Sequence, residues 1–137
     1  MLGEQIGQMQ GKVVGRRVLP GEDYRYVKME VTVEENGELY GSPVTEAGTY
    51  VVFERVPEQL YGTGQGVIGL ASGEGAIWNG HGVGTMTGEG MSMKMRFSIA
   101  VQAPKEGKLA PLNQVLVVGE HDVDDEGNTQ TRMWEWK

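Results

Sequence analysis

The sequence has 137 residues and a mass of 15.0 kDa, so we expect residues 1–137 to form a single domain. Its formal charge is −7, which argues against a protein that binds the phosphate backbone of nucleic acids. The absence of cysteine excludes disulfides, thiol catalysis and cysteine-ligated metals. No apolar run reaches the ~18 residues of a membrane-spanning helix, and no signal-peptide pattern opens the chain. We therefore expect a cytoplasmic protein with no nucleic-acid or membrane partner.

Apolar and polar residues alternate along most of the chain, which is the period of a strand with one buried face. Val27, Met29, Val31 and Val33 alternate with polar neighbours, and residues 91–101 continue the same pattern over eleven positions. No segment has a helical stripe beyond at most one turn at residues 57–60. The predicted strands are 5–18, 24–34, 38–46, 48–55, 61–71, 76–86, 91–103, 113–123 and 129–136.

Turn sequences separate these strands. The Asn36-Gly37 pair favours a tight hairpin turn at residues 35–38, and residues 72–75 and 124–128 carry similar signals. Residues 104–111 form the longest predicted loop. The prediction is an all-β fold, an antiparallel meander closed into an about eight-stranded barrel, because closure removes exposed strand edges. A β-sandwich is the alternative.

Glycine is concentrated between residues 62 and 90, where 11 of 29 residues are glycine. A hairpin centred on Gly73 predicts three cross-strand pairs: Gly62–Gly84, Gly64–Gly82 and Gly66–Gly80. The bare backbone would either make room for large side chains or leave space for a ligand. We expect alanine to be tolerated, and valine to be destabilising, at Gly64 and Gly82.

The sequence offers little support for a metal site or a nucleophilic triad. His81 and His121 lack further ligands at metal-binding spacing, so we expect structural or surface histidines, no metal and no cofactor. Residues 122–127 resemble the start of a calcium loop, but position twelve is Met133, where a bidentate glutamate is needed. An acidic hairpin turn is the better interpretation.

The candidate ligand-binding residues are those that barrel strands would present near a lumen: Gly64, Gly66, Trp78, Gly80, Gly82, Glu54, Arg96 and Trp134. An enzyme would need an inward-facing carboxylate with a raised pKa. The mid-strand charged residues are Glu30, Glu54, Arg55, Arg96 and Glu120, and the pattern does not decide which of them face inward. Trp134 and Trp136 share one face of the last strand, as core, interface or ligand-stacking residues. The continuous apolar runs 50–53 and 115–118 predict a homo-oligomer, a dimer or a trimer.

Three segments together resemble a known family. Residues 60–68 (LYGTGQGVI), residues 76–84 (AIWNGHGVG) and the end of the chain, residues 123–128 and 134–137, are similar to a family of small uncharacterised prokaryotic glycine-rich proteins. The resemblance implies a fold like the allene oxide cyclase and dirigent barrels, eight antiparallel strands of calycin-like type that often form oligomers. Allene oxide cyclases use a glutamate inside an apolar barrel to act on an oxylipin. No motif of theirs aligns here residue by residue, so no catalytic position is carried over.

Three hypotheses about function follow. The barrel binds a small apolar ligand; or it is an isomerase- or cyclase-type enzyme acting on a hydrophobic substrate in the lumen; or it is a structural oligomeric module without ligand. A cavity with a buried carboxylate favours the enzyme, a cavity alone favours the binding protein, and a solid core favours the module.

Overall fold

The chain folds into one closed barrel of eight antiparallel strands. The computed structural model describes residues 1–21, 28–88 and 90–137. The strands are β1 (Leu2–Leu19), β2 (Lys28–Leu39), β3 (Ser42–Val56), β4 (Gln59–Leu70), β5 (Gly75–Met86), β6 (Met93–Gln102), β7 (Leu116–Val123) and β8 (Asn128–Trp136). Each strand pairs with its neighbours in sequence, and β8 pairs with β1. The predicted meander closed into a barrel is confirmed, and the sandwich alternative is wrong.

The predicted turn at residues 35–38 is wrong. Residues 38–39 belong to the end of β2, and the predicted strands 38–46 and 48–55 otherwise form the single strand β3. The turn lies at Tyr40 and Gly41, which have positive φ angles of 50° and 77°. Gly37 is needed for another reason, because a Cβ there would lie 2.7 Å from the Cα of Met9 on β1. Residues 24–27 of the predicted second strand lie outside the described residues.

A helical turn occurs in a different place from the one considered. Pro57 and Glu58 form a two-residue turn between β3 and β4. A 3₁₀ helix, Ala110–Gln114, begins inside the predicted loop 104–111 and includes the first residues of the predicted strand 113–123. Leu109 and Leu112 of this region are fully buried beneath one end of the barrel. We call residues 103–115 the closing segment.

Two apolar clusters fill the two ends of the barrel. One cluster surrounds Leu109 and Leu112 of the closing segment and includes Ile6, Leu39 and Ile68. The other is rich in methionine and contains Met29, Val31, Val33, Val52, Leu60, Met93, Met95 and Val123. The buried polar residues Glu35, His121, Thr129 and Thr131 belong to neither cluster, and we call them the polar layer between the two apolar layers. Among the described residues, no helix has the length and hydropathy needed to cross a membrane.

Candidate functional site

The middle of the barrel contains a cavity of about 80 Å³. It exists because the inward positions of β4 and β5 are mostly glycine, so that this side of the wall carries few side chains. Large side chains form the rest of the lining. The ones that matter below are Trp78 of β5 itself and, from other strands, Tyr50, Met95, Phe97 and Met133.

A pair of carboxyl groups faces this cavity. Glu35 of β2 and Glu46 of β3 are direct cross-strand partners, so their side chains lie next to each other on the inner face. Glu35 is only 4% exposed. Burial, and then the charge and hydrogen bond of Glu35, raise the pKa of Glu46 to about 8. At neutral pH Glu46 therefore holds a proton beside Glu35.

The hydroxyl groups of β8 support the charge on Glu35. Thr129 donates a hydrogen bond of 2.7 Å to its Oε2, and Thr131 donates to both carboxylate oxygens at 2.9 Å. The described residues form no ion pair with Glu35 or Glu46, because the acidic partners of their salt bridges are Glu30 and Glu120. The negative charge in the barrel is thus stabilised by hydrogen bonds to hydroxyl groups.

The hydrogen bonds continue from Thr131 to His121 and Tyr50. Thr131 uses its one hydroxyl proton on Glu35, so it accepts a hydrogen bond from Nδ1 of His121 at 2.8 Å. Burial lowers the pKa of His121, which makes its ring neutral and leaves Nε2 as an acceptor. The Tyr50 hydroxyl therefore donates to Nε2 at 3.2 Å. Each hydrogen bond therefore points the same way: Tyr50 donates to His121, His121 donates to Thr131, and Thr131 donates to Glu35 of the carboxyl pair.

Trp78 lies beside the carboxyl pair and explains two of the glycines. A Cβ at Gly48 would lie 2.7 Å from Cζ2 of Trp78, and a Cβ at Gly66 would overlap its indole nitrogen. The indole N–H is buried with no regular hydrogen-bond partner among the described residues, although its position near Glu46 favours the charged carboxylate. Phe97 similarly occupies the space above Gly82 and Gly119. Several glycines therefore make room for rings, and the remaining space is the cavity.

The glycine-rich hairpin has a different register from the predicted one. The observed pairs are Gly62–Gly82, Gly64–Gly80, Gly66–Trp78 and Ile68–Ala76. The hairpin is centred on Ser72 rather than Gly73, so each residue pairs two positions away from its predicted partner. Because the shift is even, the glycines still share one face of the hairpin, as the pattern predicted, and the structure shows that this is the inner face.

The expected tolerance of alanine in this hairpin is also revised. A Cβ at Gly64 would lie 2.7 Å from the Cβ of Tyr50, and one at Gly82 would lie 2.6 Å from the carbonyl oxygen of Arg96. These distances are shorter than ordinary contacts, so even alanine requires the structure to shift.

The candidate ligand-binding residues divide into two groups. Gly64, Trp78, Gly80 and Gly82 line the cavity, and Gly66 lies under the Trp78 ring. The other three candidates lie outside the cavity, as follows.

Glu54 lies at the β3–β4 hairpin, where it accepts the backbone N–H of Glu58 at 3.0 Å. Arg96 has a 73% exposed side chain on the outer face, paired with Glu120 at 2.6 Å. Trp134 shares the outer face of β8 with Trp136.

The other charged candidates are on the outside too. Glu30 pairs with Arg17 at 3.2 Å, and Arg55 stacks over the Tyr61 ring at 3.9 Å. The inward-facing carboxylates, Glu35 and Glu46, were missed. The signal for Glu35 was the alternation from Met29 to Val33, which continues in phase to residue 35, but the Asn-Gly turn signal was followed instead.

The two histidines have different surroundings. His81 is exposed on the outer face and stacks near Tyr61, with ring centroids 6.2 Å apart. His121 is buried in the polar layer. In the described part of the chain, no three histidine, aspartate or glutamate side chains converge in a geometry that would hold a metal ion.

Comparison with known proteins defines the chain at the level of its fold. No protein-family model and no curated protein matches the chain. It is similar to the crystal structure of a protein with unknown function from Clostridium acetobutylicum ATCC 824, with a TM-score of 0.80 and 10% identity over 98% of both chains. It is also similar to a conserved protein of unknown function from Rhodopseudomonas palustris, with a TM-score of 0.79 and 12% identity over 98% of this chain and 97% of that one. At these identities the likeness concerns the barrel and carries no activity.

Proposed function

We propose that the protein binds a small, mainly apolar molecule inside the barrel, with one polar group of that molecule on the Glu35–Glu46 pair. The observation that carries the proposal is the combination of a cavity with apolar walls and two adjacent carboxyl groups, Glu35 and Glu46, that line it. Ligand sites are typically concave and apolar with a few convergent polar groups, and this arrangement has both properties. The buried indole N–H of Trp78, which has no regular hydrogen-bond partner in the described part of the chain, supplies a donor beside the same pair.

The size of the cavity limits the ligand. An apolar cavity of about 150 Å³ is large enough for benzene, and this cavity has about half that volume. The comparison limits the ligand to at most about six non-hydrogen atoms, the number in benzene. A long-chain oxylipin is too large for the cavity in this conformation. The likeness to allene oxide cyclase and dirigent barrels is therefore kept as a proposal about fold and not about substrate.

A specific observation favours an enzyme as the second candidate. The pKa of Glu46, about 8, suits a group that exchanges protons near neutral pH. In an isomerase of this kind, the ionised member of the pair would remove a proton from the substrate, and the protonated member would return one at another atom. The proton count is unchanged by the reaction, so no oxidant or cofactor is required. The structural module without ligand is the least favoured hypothesis, because the interior is not solid.

Filling the cavity with a side chain on the glycine-rich strand β4 tests the binding proposal. A Cβ at Gly62 would lie in ordinary contact, 3.4 Å from the carbonyl oxygen of Val51 and 3.5 Å from Cε of Met95, so Gly62→Val directs two methyl groups into the cavity. The matched control is Gly69→Val on the same strand, where the nearest atom is 3.7 Å away and the side chain points outward.

The readout is the melting temperature with and without a panel of molecules of four to six non-hydrogen atoms, namely butanol, butyramide, imidazole and butylammonium. Wild type and Gly69→Val should show a concentration-dependent increase with at least one compound, and Gly62→Val should show none. An equal response in Gly62→Val, or no response of wild type to any compound, would contradict the proposal.

A further inference from the structure

The carboxyl groups inside the barrel have no ion-pair partner among the basic side chains of the described residues. Glu35 and Glu46 are adjacent on β2 and β3, and the donors around Glu35 are the neutral hydroxyls of Thr129 and Thr131. Among residues 1–21, 28–88 and 90–137, no basic side chain forms an ion pair with either carboxyl group. In the absence of a cation, the proton on Glu46 reduces the negative charge of the two carboxyl groups.

The walls of the cavity also suit a cation. Trp78, Tyr50 and Phe97 present aromatic rings to it, and Met95 and Met133 contribute polarizable thioethers. Aromatic faces attract ammonium groups, most strongly when the site is shielded from water. An uncharged ligand would be stabilised by contact with the apolar walls alone, whereas an ammonium ion would be stabilised by the walls and by the carboxyl pair.

We propose that the cavity selects a small primary alkylammonium ion, whose –NH₃⁺ group lies against the carboxyl groups of Glu35 and Glu46. This inference rests on the proposed function, since it names the ligand class of the same site. Binding moves one proton from the carboxyl pair to the solvent and forms no covalent bond. The three N–H donors of the ammonium group match two carboxylates, and the alkyl group occupies the volume beside the rings.

Of the titratable groups around the carboxyl pair, His121 and Tyr50 keep the same charge between pH 6.5 and 8, and only Glu46 changes its charge. His121 of β7 is neutral in this range because burial lowers its pKa, although Glu35 and Asp122 act in the opposite direction. Tyr50 of β3 is also neutral, because burial and Glu35 raise its pKa more than Arg16 of β1 lowers it. Glu46 is the group that loses its proton.

Affinity for the ammonium ion should therefore increase as the pH rises towards the pKa of Glu46, about 8. A pKa of 8 makes the binding-competent fraction about 3% at pH 6.5 and about half at pH 8, a ratio of roughly 10 to 20. A free alkylammonium ion has a pKa near that of lysine, about 10.4, so the ligand stays charged throughout this range.

Isothermal titration calorimetry with n-butylammonium chloride and n-butanol tests the inference, because the two probes have similar shape and differ in charge. Titrations at pH 6.5, 7.2 and 8.0 give the affinity, and two buffers of different ionisation enthalpy give the number of protons released. We expect butylammonium to bind at least tenfold more tightly than butanol at pH 8.0. Its affinity should increase about tenfold from pH 6.5 to 8.0, with close to one proton released at pH 6.5.

Two variants separate the carboxyl pair from the surface charge. Glu46→Gln should abolish both the pH dependence and the proton release, and should reduce the butylammonium affinity at least tenfold while butanol binding is retained. Glu30→Gln, on the outer face of the neighbouring strand β2, should behave as wild type. If Glu46→Gln fails to fold, the pH series and the proton count of the wild type still decide the question.

The outcomes distinguish the two proposals. If butanol binds as tightly as butylammonium and no proton is released, the ammonium inference is overturned and the proposed function stands. If neither butylammonium nor butanol binds in calorimetry, while an uncharged compound of the panel still raises the melting temperature, only the ammonium inference fails. If no compound of the panel binds by either method, the proposed function fails as well.

Discussion

The proton on Glu46 makes the stability of the barrel depend on pH. Between the ordinary glutamate pKa of 4.5 and about 8, the folded protein holds a proton on Glu46 that the unfolded chain has lost. Stability therefore falls as the pH rises through this interval. The lowered pKa of His121 has the opposite effect, which fades as the pH rises above its ordinary value of 6.5, and this effect is common to wild type and Glu46→Gln. The interval from pH 6.5 to 8 thus isolates Glu46.

We expect the free energy of unfolding to fall by about 1–2 kcal/mol between pH 6.5 and 8 in the wild type, relative to Glu46→Gln. Urea unfolding at both pH values measures this difference. Glu30→Gln is the control and should follow the wild type. Equal pH dependence in wild type and Glu46→Gln would show that Glu46 is ionised in the folded protein at neutral pH.

Neighbouring glycines of β4 should respond in opposite ways to alanine. Gly64→Ala brings a methyl group 2.7 Å from the Cβ of Tyr50 and should cost about 1–3 kcal/mol, as overpacking does. At Gly62 the new methyl group fits beside Met95 and restricts the unfolded chain, so Gly62→Ala should be neutral or stabilising by about 0.5 kcal/mol. Thermal melts of both variants measure the contrast, and the reverse order would contradict the inner-wall geometry.

At the residue scale, the sequence predicted which face each residue occupies better than what it contacts. The period-two pattern placed Gly64, Trp78, Gly80 and Gly82 on one face, and all four line the cavity. It did not reveal Glu46, because the predicted strand boundary at residue 46 removed it from a strand interior. Phase alone cannot identify a buried glutamate, because the hydrogen-bond donors that stabilise Glu35, Thr129 and Thr131, are 94 and 96 residues away in the chain.

The closing segment is attached to the barrel by one carboxylate. Glu74, in the turn between β4 and β5, accepts the backbone N–H groups of Lys108 and Leu109 at 3.2 and 2.8 Å. Gly107 has a φ of +125°, and a Cβ there would collide with the Glu74 carboxylate. The contact therefore depends on a glycine in a conformation that other residues rarely adopt.

Removal of that carboxylate should loosen the closing segment. Glu74→Ala leaves the N–H of Leu109 without its acceptor and should cost about 1–2 kcal/mol. Amide hydrogen exchange should show lost protection at Lys108 and Leu109, with β2 and β3 unaffected. Glu106→Ala, an exposed position in the same segment, is the control. Unchanged exchange at both amides in Glu74→Ala would indicate that burial of Leu109 and Leu112 alone holds the segment.

At the element scale, the number and order of strands followed from alternation, whereas hairpin centres did not. Asn36-Gly37 is a strong local turn signal, yet it lies inside β2 because Leu39 continues the buried face and Gly37 allows close approach of β1. The β4–β5 register was missed by two residues because the hairpin is centred on Ser72, one residue before the glycine that the turn signal favours.

The outer surface of the whole barrel supports the expectation of a homo-oligomer, a dimer or a trimer. Val67 and Ile77 are direct cross-strand partners on the outer face and are more than half exposed, and Leu116 of the apolar run 115–118 is exposed to the same degree. Exposed apolar residues grouped on a sheet are typical of subunit contacts. Analytical ultracentrifugation at micromolar concentration should give a mass of two or three chains. A single 15.0 kDa species would contradict this expectation.

The claim that a ligand enters the middle of the barrel is tested most directly by NMR of protein labelled at its methionine ε-methyl groups. The chain has eight methionines, of which Met95 and Met133 line the cavity and Met1 is an exposed terminal residue that serves as internal control. On titration with n-butylammonium and n-butanol, the account predicts saturable shifts of the Met95 and Met133 signals with at least one probe, and no shift of Met1. Absence of any shift at Met95 and Met133, or shifts confined to Met1, would contradict it.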